Sequence, residues 1–78
     1  AALKDPKTRL QEYLQSRRWP LPEYTVLEVI GEAHDQSFSV QCAVDEAAQA
    51  APTRGQGKSR RQAEQTAADL MLQQLDGG

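Results

Sequence analysis

Residues 24–44, YTVLEVIGEAHDQSFSVQCAV, contain two β-type runs separated by a polar interval. The first run, residues 24–30, is rich in β-branched and aromatic side chains, which fit a pleated, half-buried surface. The second, residues 38–44, alternates: Phe38, Val40, Cys42 and Val44 share one face, and Ser39, Gln41 and Ala43 the other. Joined by the short loop GEAHDQS, the two runs predict an antiparallel hairpin with one buried face. On that reading Cys42 is a core residue and not a reactive thiol, since no cationic partner stands near it in the sequence.

On the N-terminal side, Asp5-Pro6 reads as a helix cap with proline at the first helical position, where its missing N–H costs nothing. The helix is predicted to run to about Arg18, stopped by Pro20 and Pro22. Leu10, Tyr13 and Leu14 form its core stripe. Thr8, Gln11, Glu12 and Gln15 repeat the spacing on the opposite side. That polar row is either a solvated face or a set of hydrogen-bonding groups for the shallow minor groove of an RNA duplex. Trp19 covers the edge of a small core or stacks on a base, and an aromatic beside prolines favours the first.

On the C-terminal side, residues 45–53, DEAAQAAPT, carry helix-favouring alanines, but Pro52 and the short span favour an edge strand around residues 48–54. Residues 55–68, GQGKSRRQAEQTAA, then place Lys58, Ser59, Arg60 and Arg61 at the start of a second helix, with Ser59 and Gln62 as a capping box. Cations and free helix amides together make an anion site. The G-x-x-x-x-G-K-[ST] spacing of a nucleotide-cradling loop is absent, so a nucleic-acid backbone phosphate is the better candidate. Ala63, Ala67, Leu70, Met71 and Leu75 mark the apolar face of this helix, which is expected to end before Asp76.

The 78 residues fit one small domain, carry a net charge of −2 and include a single cysteine, which excludes an internal disulfide framework. An acidic total argues against a nucleic-acid partner, but the cations Arg54, Lys58, Arg60 and Arg61 cluster without an intervening acid. A local field decides docking, because distant exposed charges are screened. No apolar run reaches membrane-spanning length and residues 1–9 lack a signal-peptide core, so a cytoplasmic location with no membrane partner is expected. His34, in the hairpin loop, has no Cys or His companions for a metal and no cofactor site is expected, although imidazole in a groove can hydrogen-bond. No nucleophile–base constellation is present, and the carboxylates are scattered.

The ordered set DPKTRLQEYLQ, LPEYTVLEVIGEAHDQSFSVQC and GQGKSRRQAEQTAADLMLQQL resembles the double-stranded RNA-binding domain, and more narrowly the C-terminal domain of bacterial ribonuclease III. The resemblance implies an α+β fold of order α-β-β-β-α, two helices on one face of a three-stranded antiparallel sheet, over residues 5–76, with residues 1–4 a linker remnant. It also implies that Thr8, Gln11, Glu12 and Gln15 enter one minor groove and His34 the next. Lys58, Ser59, Arg60 and Arg61 then meet phosphates across the intervening major groove. Cleavage of ribosomal and messenger precursors would belong to a separate, homodimeric, Mg²⁺-dependent nuclease domain. Two departures from the family stand out: Glu64 occupies a position where a third cation is common, and the third strand carries alanines and Pro52. The competing expectation is a protein-interaction or dimerisation module of the same fold with little RNA affinity.

Overall fold

The computed structural model describes residues 4–77; Gly78 and residues 1–3 of the expected linker lie outside the described residues. The elements run α1 (Pro6–Ser16), β1 (Glu23–Glu32), β2 (Asp35–Ala43), a 3-10 turn (Glu46–Ala48), β3 (Thr53–Gly57) and α2 (Arg60–Gly77). The strands form one antiparallel sheet in the order β1-β2-β3. Both helices lie on the face that carries Val40 and Cys42, so the expected α+β architecture holds.

In α1 the Asp5 carboxylate accepts the Thr8 amide at 2.8 Å and Pro6 occupies the first turn, as the sequence predicts. Leu10 and Leu14 are fully buried. The helix ends at Ser16, two residues short of the expected Arg18. Arg18 turns left-handed, with φ 60°, its amide donating to the Gln15 carbonyl and that of Trp19 to the Leu14 carbonyl, both at 3.0 Å. This double closure satisfies the last carbonyls before either proline is reached. It also folds Trp19 back onto the core, in keeping with the packing reading of that residue.

The hairpin is tighter than expected. β1 and β2 pair from Glu23↔Ala43 to Glu32↔Asp35, so the predicted loop 31–37 is mostly strand and only Ala33 and His34 make the turn. Polar composition reads as loop, but exposed ribbon backbones can pair without a buried face. Gly31 makes the turn feasible: its φ is +105°, and a Cβ there would stand 2.3 Å from the Asp35 carbonyl oxygen.

The third strand is displaced from its expected place. Asp45 caps a 3-10 turn through the Ala47 amide, Gln49 is left-handed, and β3 begins only after Pro52. Its sequence TRGQG has poor strand propensity, yet Gly55 and Gly57 are what the packing requires. A Cβ on Gly55 would lie 2.3 Å from the Ala67 nitrogen and 2.4 Å from the Ala63 carbonyl oxygen, and one on Gly57 2.6 Å from the Ala63 nitrogen. The backbones of β3 and α2 therefore touch, with the alanines of α2 facing the glycines of β3. Thr53 Oγ1 donates to the Ala67 carbonyl at 2.8 Å and fixes the other end of the seam.

The second helix starts where predicted: the Ser59 hydroxyl oxygen accepts the Gln62 amide at 3.1 Å, and Gln62 Oε1 accepts the Lys58 amide at 2.6 Å. It continues through Asp76 to Gly77, beyond the expected end. Ala63, Ala67 and Met71 are buried as expected, but Leu70 is 39% exposed while Ala68 and Leu72 are buried. The buried face is wider than one stripe because the sheet covers one side of α2 and α1 another. Cys42 lies in this core, and burial pushes its thiol up to about 11. No described helix is long and apolar enough to cross a membrane.

Candidate nucleic-acid interface

The seam between β3 and α2 fixes where the cations go, because Lys58 follows Gly57 directly and Arg60 opens the helix. Ser59 serves as the cap, so its hydroxyl oxygen is engaged by the Gln62 amide. The amides of Arg60 and Arg61 fall in the first turn, ahead of the helical ladder, and add the positive end of the dipole to their side chains.

Arg61 meets α1. Its guanidinium is 3.9 Å from the Asp5 carboxylate, and a concavity of about 440 Å³ is lined by Asp5, Lys7, Thr8, Gln11, Arg61 and Gln65, with Tyr24 among its other walls. Two residues of the predicted polar row are thereby brought beside one predicted phosphate contact. The hydrogen bond from the Thr8 backbone amide, with the Gln65 side chain and the Arg61 charge beside it, holds the Asp5 carboxyl below its ordinary value.

Lys58 meets the hairpin turn. Its ammonium lies 3.4 Å from the Asp35 carboxylate, and a depression of about 360 Å³ is formed by Ala33, His34, Asp35, Gln36 and Lys58. The start of α2 thus stands between two depressions, one against α1 and one against the hairpin turn. Thr8, Gln11, Glu12, Gln15, His34, Lys58, Ser59, Arg60 and Arg61 are all exposed. Glu12 and Gln15 line neither depression, and Gln15 lies about 10 Å along the helix from Thr8. Lys4 donates to both Glu12 oxygens, at 2.8 and 2.7 Å.

Four residues at this face were not singled out from the sequence as contacts. Asp5 and Asp35 pair with cations, Lys7 reaches α2, and Gln65 Oε1 accepts the Lys7 amide at 2.9 Å. Glu64, noted only as a departure, is buried and takes both Lys7 and Arg60, at 2.7 and 3.0 Å. Its spacing of four from Arg60 is the one signal of this pairing visible in the sequence. Burial raises the Glu64 pKa, but the hydrogen bonds and charges of Lys7 and Arg60 outweigh it and hold the carboxyl below its ordinary 4.5. Arg54, also part of the cationic run, sits 3.8 Å from Glu28 on the opposite face of the sheet from the helices. Every cation of the run therefore has a carboxylate partner, that of Arg60 one turn on in the same helix and the others from elsewhere in the chain. Among the described residues no group of three or more His, Cys, Asp or Glu stands close enough to hold a metal ion.

The chain is similar to ribonuclease 3 of Vibrio vulnificus, 60% identical over 75 residues that make up 96% of this chain and 32% of the relative. Ribonuclease 3 of Vibrio cholerae is 58% identical over 78 residues, all of this chain and 34% of that protein. The chain thus spans about a third of the length of these curated relatives. Among solved structures, Arabidopsis HYL1, described for its implications for miRNA processing, superposes with a TM-score of 0.77 at 32% identity, covering 91% of this chain and 96% of that one. The family described as "Double-stranded RNA binding motif" matches residues 6–75, nearly the whole of the described fold, and the chain belongs to that family.

Proposed function

We propose that residues 5–76 bind double-stranded RNA by shape, as the substrate-binding domain of a bacterial ribonuclease III. The observation that supports this most is the position of Lys58 and Arg61, between the α1 depression with Thr8 and Gln11 and the hairpin depression with His34. A-form RNA offers the matching order of minor groove, major-groove phosphates and minor groove over about 16 base pairs. On this reading Thr8, Gln11, Glu12 and Gln15 engage 2′-hydroxyls in one minor groove, His34 engages the next, and Lys58, Ser59, Arg60 and Arg61 take phosphates. The Asp35 carboxylate is exposed and that of Asp5 is half-exposed, and ion pairs open to water are weak, so phosphates can displace them.

Cleavage belongs to the parent enzyme, in a homodimeric nuclease domain that holds Mg²⁺ through its own acidic residues. The setting is the cytoplasm and the substrates are ribosomal and messenger precursors. The chain alone binds without cutting, and Mg²⁺-dependent cleavage by the pure chain would refute that. The direct test is a salt series of affinity for an RNA duplex of about two turns, beside a DNA duplex of the same length. Affinity for RNA is expected to fall steeply with salt, and replacing Lys58, Arg60 and Arg61 together by Ala is expected to cut the log–log slope by about two to three. Salt-independent affinity, or equal binding to DNA, rules the reading out.

A protein-interaction module is the second reading, favoured by the net charge of −2 and by the carboxylate partner beside every cation of the run. A gel shift with the same RNA duplex separates the two readings, since no shifted band at low salt supports the module.

A further inference from the structure

Among the described residues Glu64 is the only buried charged side chain, 8% exposed, and its two oxygens serve different elements. Oε1 accepts from Lys7 Nζ on α1 at 2.7 Å, and Oε2 accepts from Arg60 Nε in the first turn of α2 at 3.0 Å. The next residue repeats the tie, because Gln65 Oε1 takes the Lys7 backbone amide at 2.9 Å. Lys7 is held from a third side, its ammonium 5.0 Å from the centre of the Tyr24 ring on β1. The carboxylate is therefore a pin between the start of α1 and the start of α2. A guanidinium is planar, so a partner on its Nε edge fixes the plane and leaves the two terminal nitrogens as an oriented fork.

We propose that Glu64 is a positioning residue for RNA binding: it aims the Arg60 fork at phosphate and sets the α1 polar row in register with the cations of α2. This rests on the RNA-binding reading above. It carries a sign opposite to that expected from charge alone. An acid beside a phosphate-binding face repels RNA, so its removal should tighten binding if Glu64 acted only through its charge. A pin predicts the reverse. A glutamine in its place keeps one acceptor and turns an N–H donor toward a cation, leaving Lys7 or Arg60 unheld.

The test compares Glu64→Gln, Glu64→Asp and Glu46→Gln in the 78-residue chain, by affinity for an RNA duplex of about two turns across a salt series, with thermal melts alongside. Glu46 lies in the 3-10 turn after β2, outside the proposed interface, and reports the effect of charge alone. Glu64→Gln is expected to weaken binding roughly five- to tenfold and to lower the salt slope by up to about 0.9, one phosphate contact. Glu64→Asp keeps the charge but is too short to reach both partners; it is expected to weaken binding about threefold. Glu46→Gln is expected to change affinity by less than about twofold, as for a screened distant charge.

Tighter binding by Glu64→Gln, or wild-type affinity in Glu64→Asp, overturns the proposal. If Glu64→Gln melts below the assay temperature, Glu64→Asp decides alone, because a pure charge effect leaves it unchanged. Absence of a shift with the wild-type chain defeats the RNA-binding reading itself, and the role given to Glu64 falls with it.

Discussion

The β3–α2 seam and the β1–β2 hairpin turn hold the two sides of the candidate interface in opposite ways. At the seam the backbones of Gly55 and Gly57 touch those of Ala63 and Ala67, and no side chain fits between them. At the turn Ala33 and His34 are exposed, and the ion pair from Lys58 to Asp35 is solvent-accessible. The cations are thus placed by packing, whereas the turn is placed by backbone pairing and one glycine. Changes at the seam should act on stability first and on binding through it, while changes at Ala33 and His34 should act on binding alone.

The largest effect is expected at the seam. Gly55→Ala drives a methyl group into the α2 backbone and is expected to destabilise the chain by about 3 kcal/mol, lowering the melting temperature by roughly 12–24 °C. A melting temperature within about 2 °C of wild type would break the comparison. Gly31→Ala probes the hairpin stem, where φ is +105° and the Asp35 carbonyl blocks a Cβ; about 2 kcal/mol is expected. Hydrogen exchange should show the added opening confined to Glu32 and its neighbours, and uniform loss of protection would mean the stem is as integral as the seam.

Thr53→Val removes the hydroxyl bond to the Ala67 carbonyl and is expected to cost about 1 kcal/mol by denaturant titration, with no change elsewhere. Acid should also weaken the helix side of the structure. Glu64 has a folded pKa below its ordinary 4.5, so its stabilisation is full above that value and fades as pH falls through the lower folded pKa. Melts of wild type and Glu64→Gln between pH 5 and about 2 should therefore differ in slope, with the variant showing the shallower acid limb. His34→Ala should give the smallest change in stability, within about 0.5 kcal/mol, while weakening RNA binding several-fold. A melting shift as large as that of Thr53→Val would show that the turn is structural after all.

The same contrast explains what could be read from the sequence. The alternation of Val40 and Cys42, the cap at Asp5 and the Ser59 cap on the Gln62 amide are local signals with local causes, and the structure keeps them, with the Gln62 side chain returning to the Lys58 amide and not to that of Ser59. The third strand lies past its expected place because TRGQG lacks strand propensity; its glycines answer to the helix packed against them, which strand propensity does not register. The hairpin loop is shorter than expected because polar residues in a paired, exposed ribbon look like loop residues. At the interface the residue types were legible, but the partners were not. Asp5 and Asp35 reach Arg61 and Lys58 from 56 and 23 residues away, a juxtaposition that no spacing rule supplies.

Cys42 offers a chemical clock for this domain. Its thiol is fully buried in the core with Leu10, Leu14 and Ala67, with its pKa pushed up to about 11, so a thiol reagent can reach it only when the core between the helices and the sheet opens. With a single cysteine in the chain, the labelling rate reads one opening event, free of background from other sites. If α1 and the start of α2 clamp together onto a duplex, bound RNA should slow that clock even though no nucleotide comes near the sulfur.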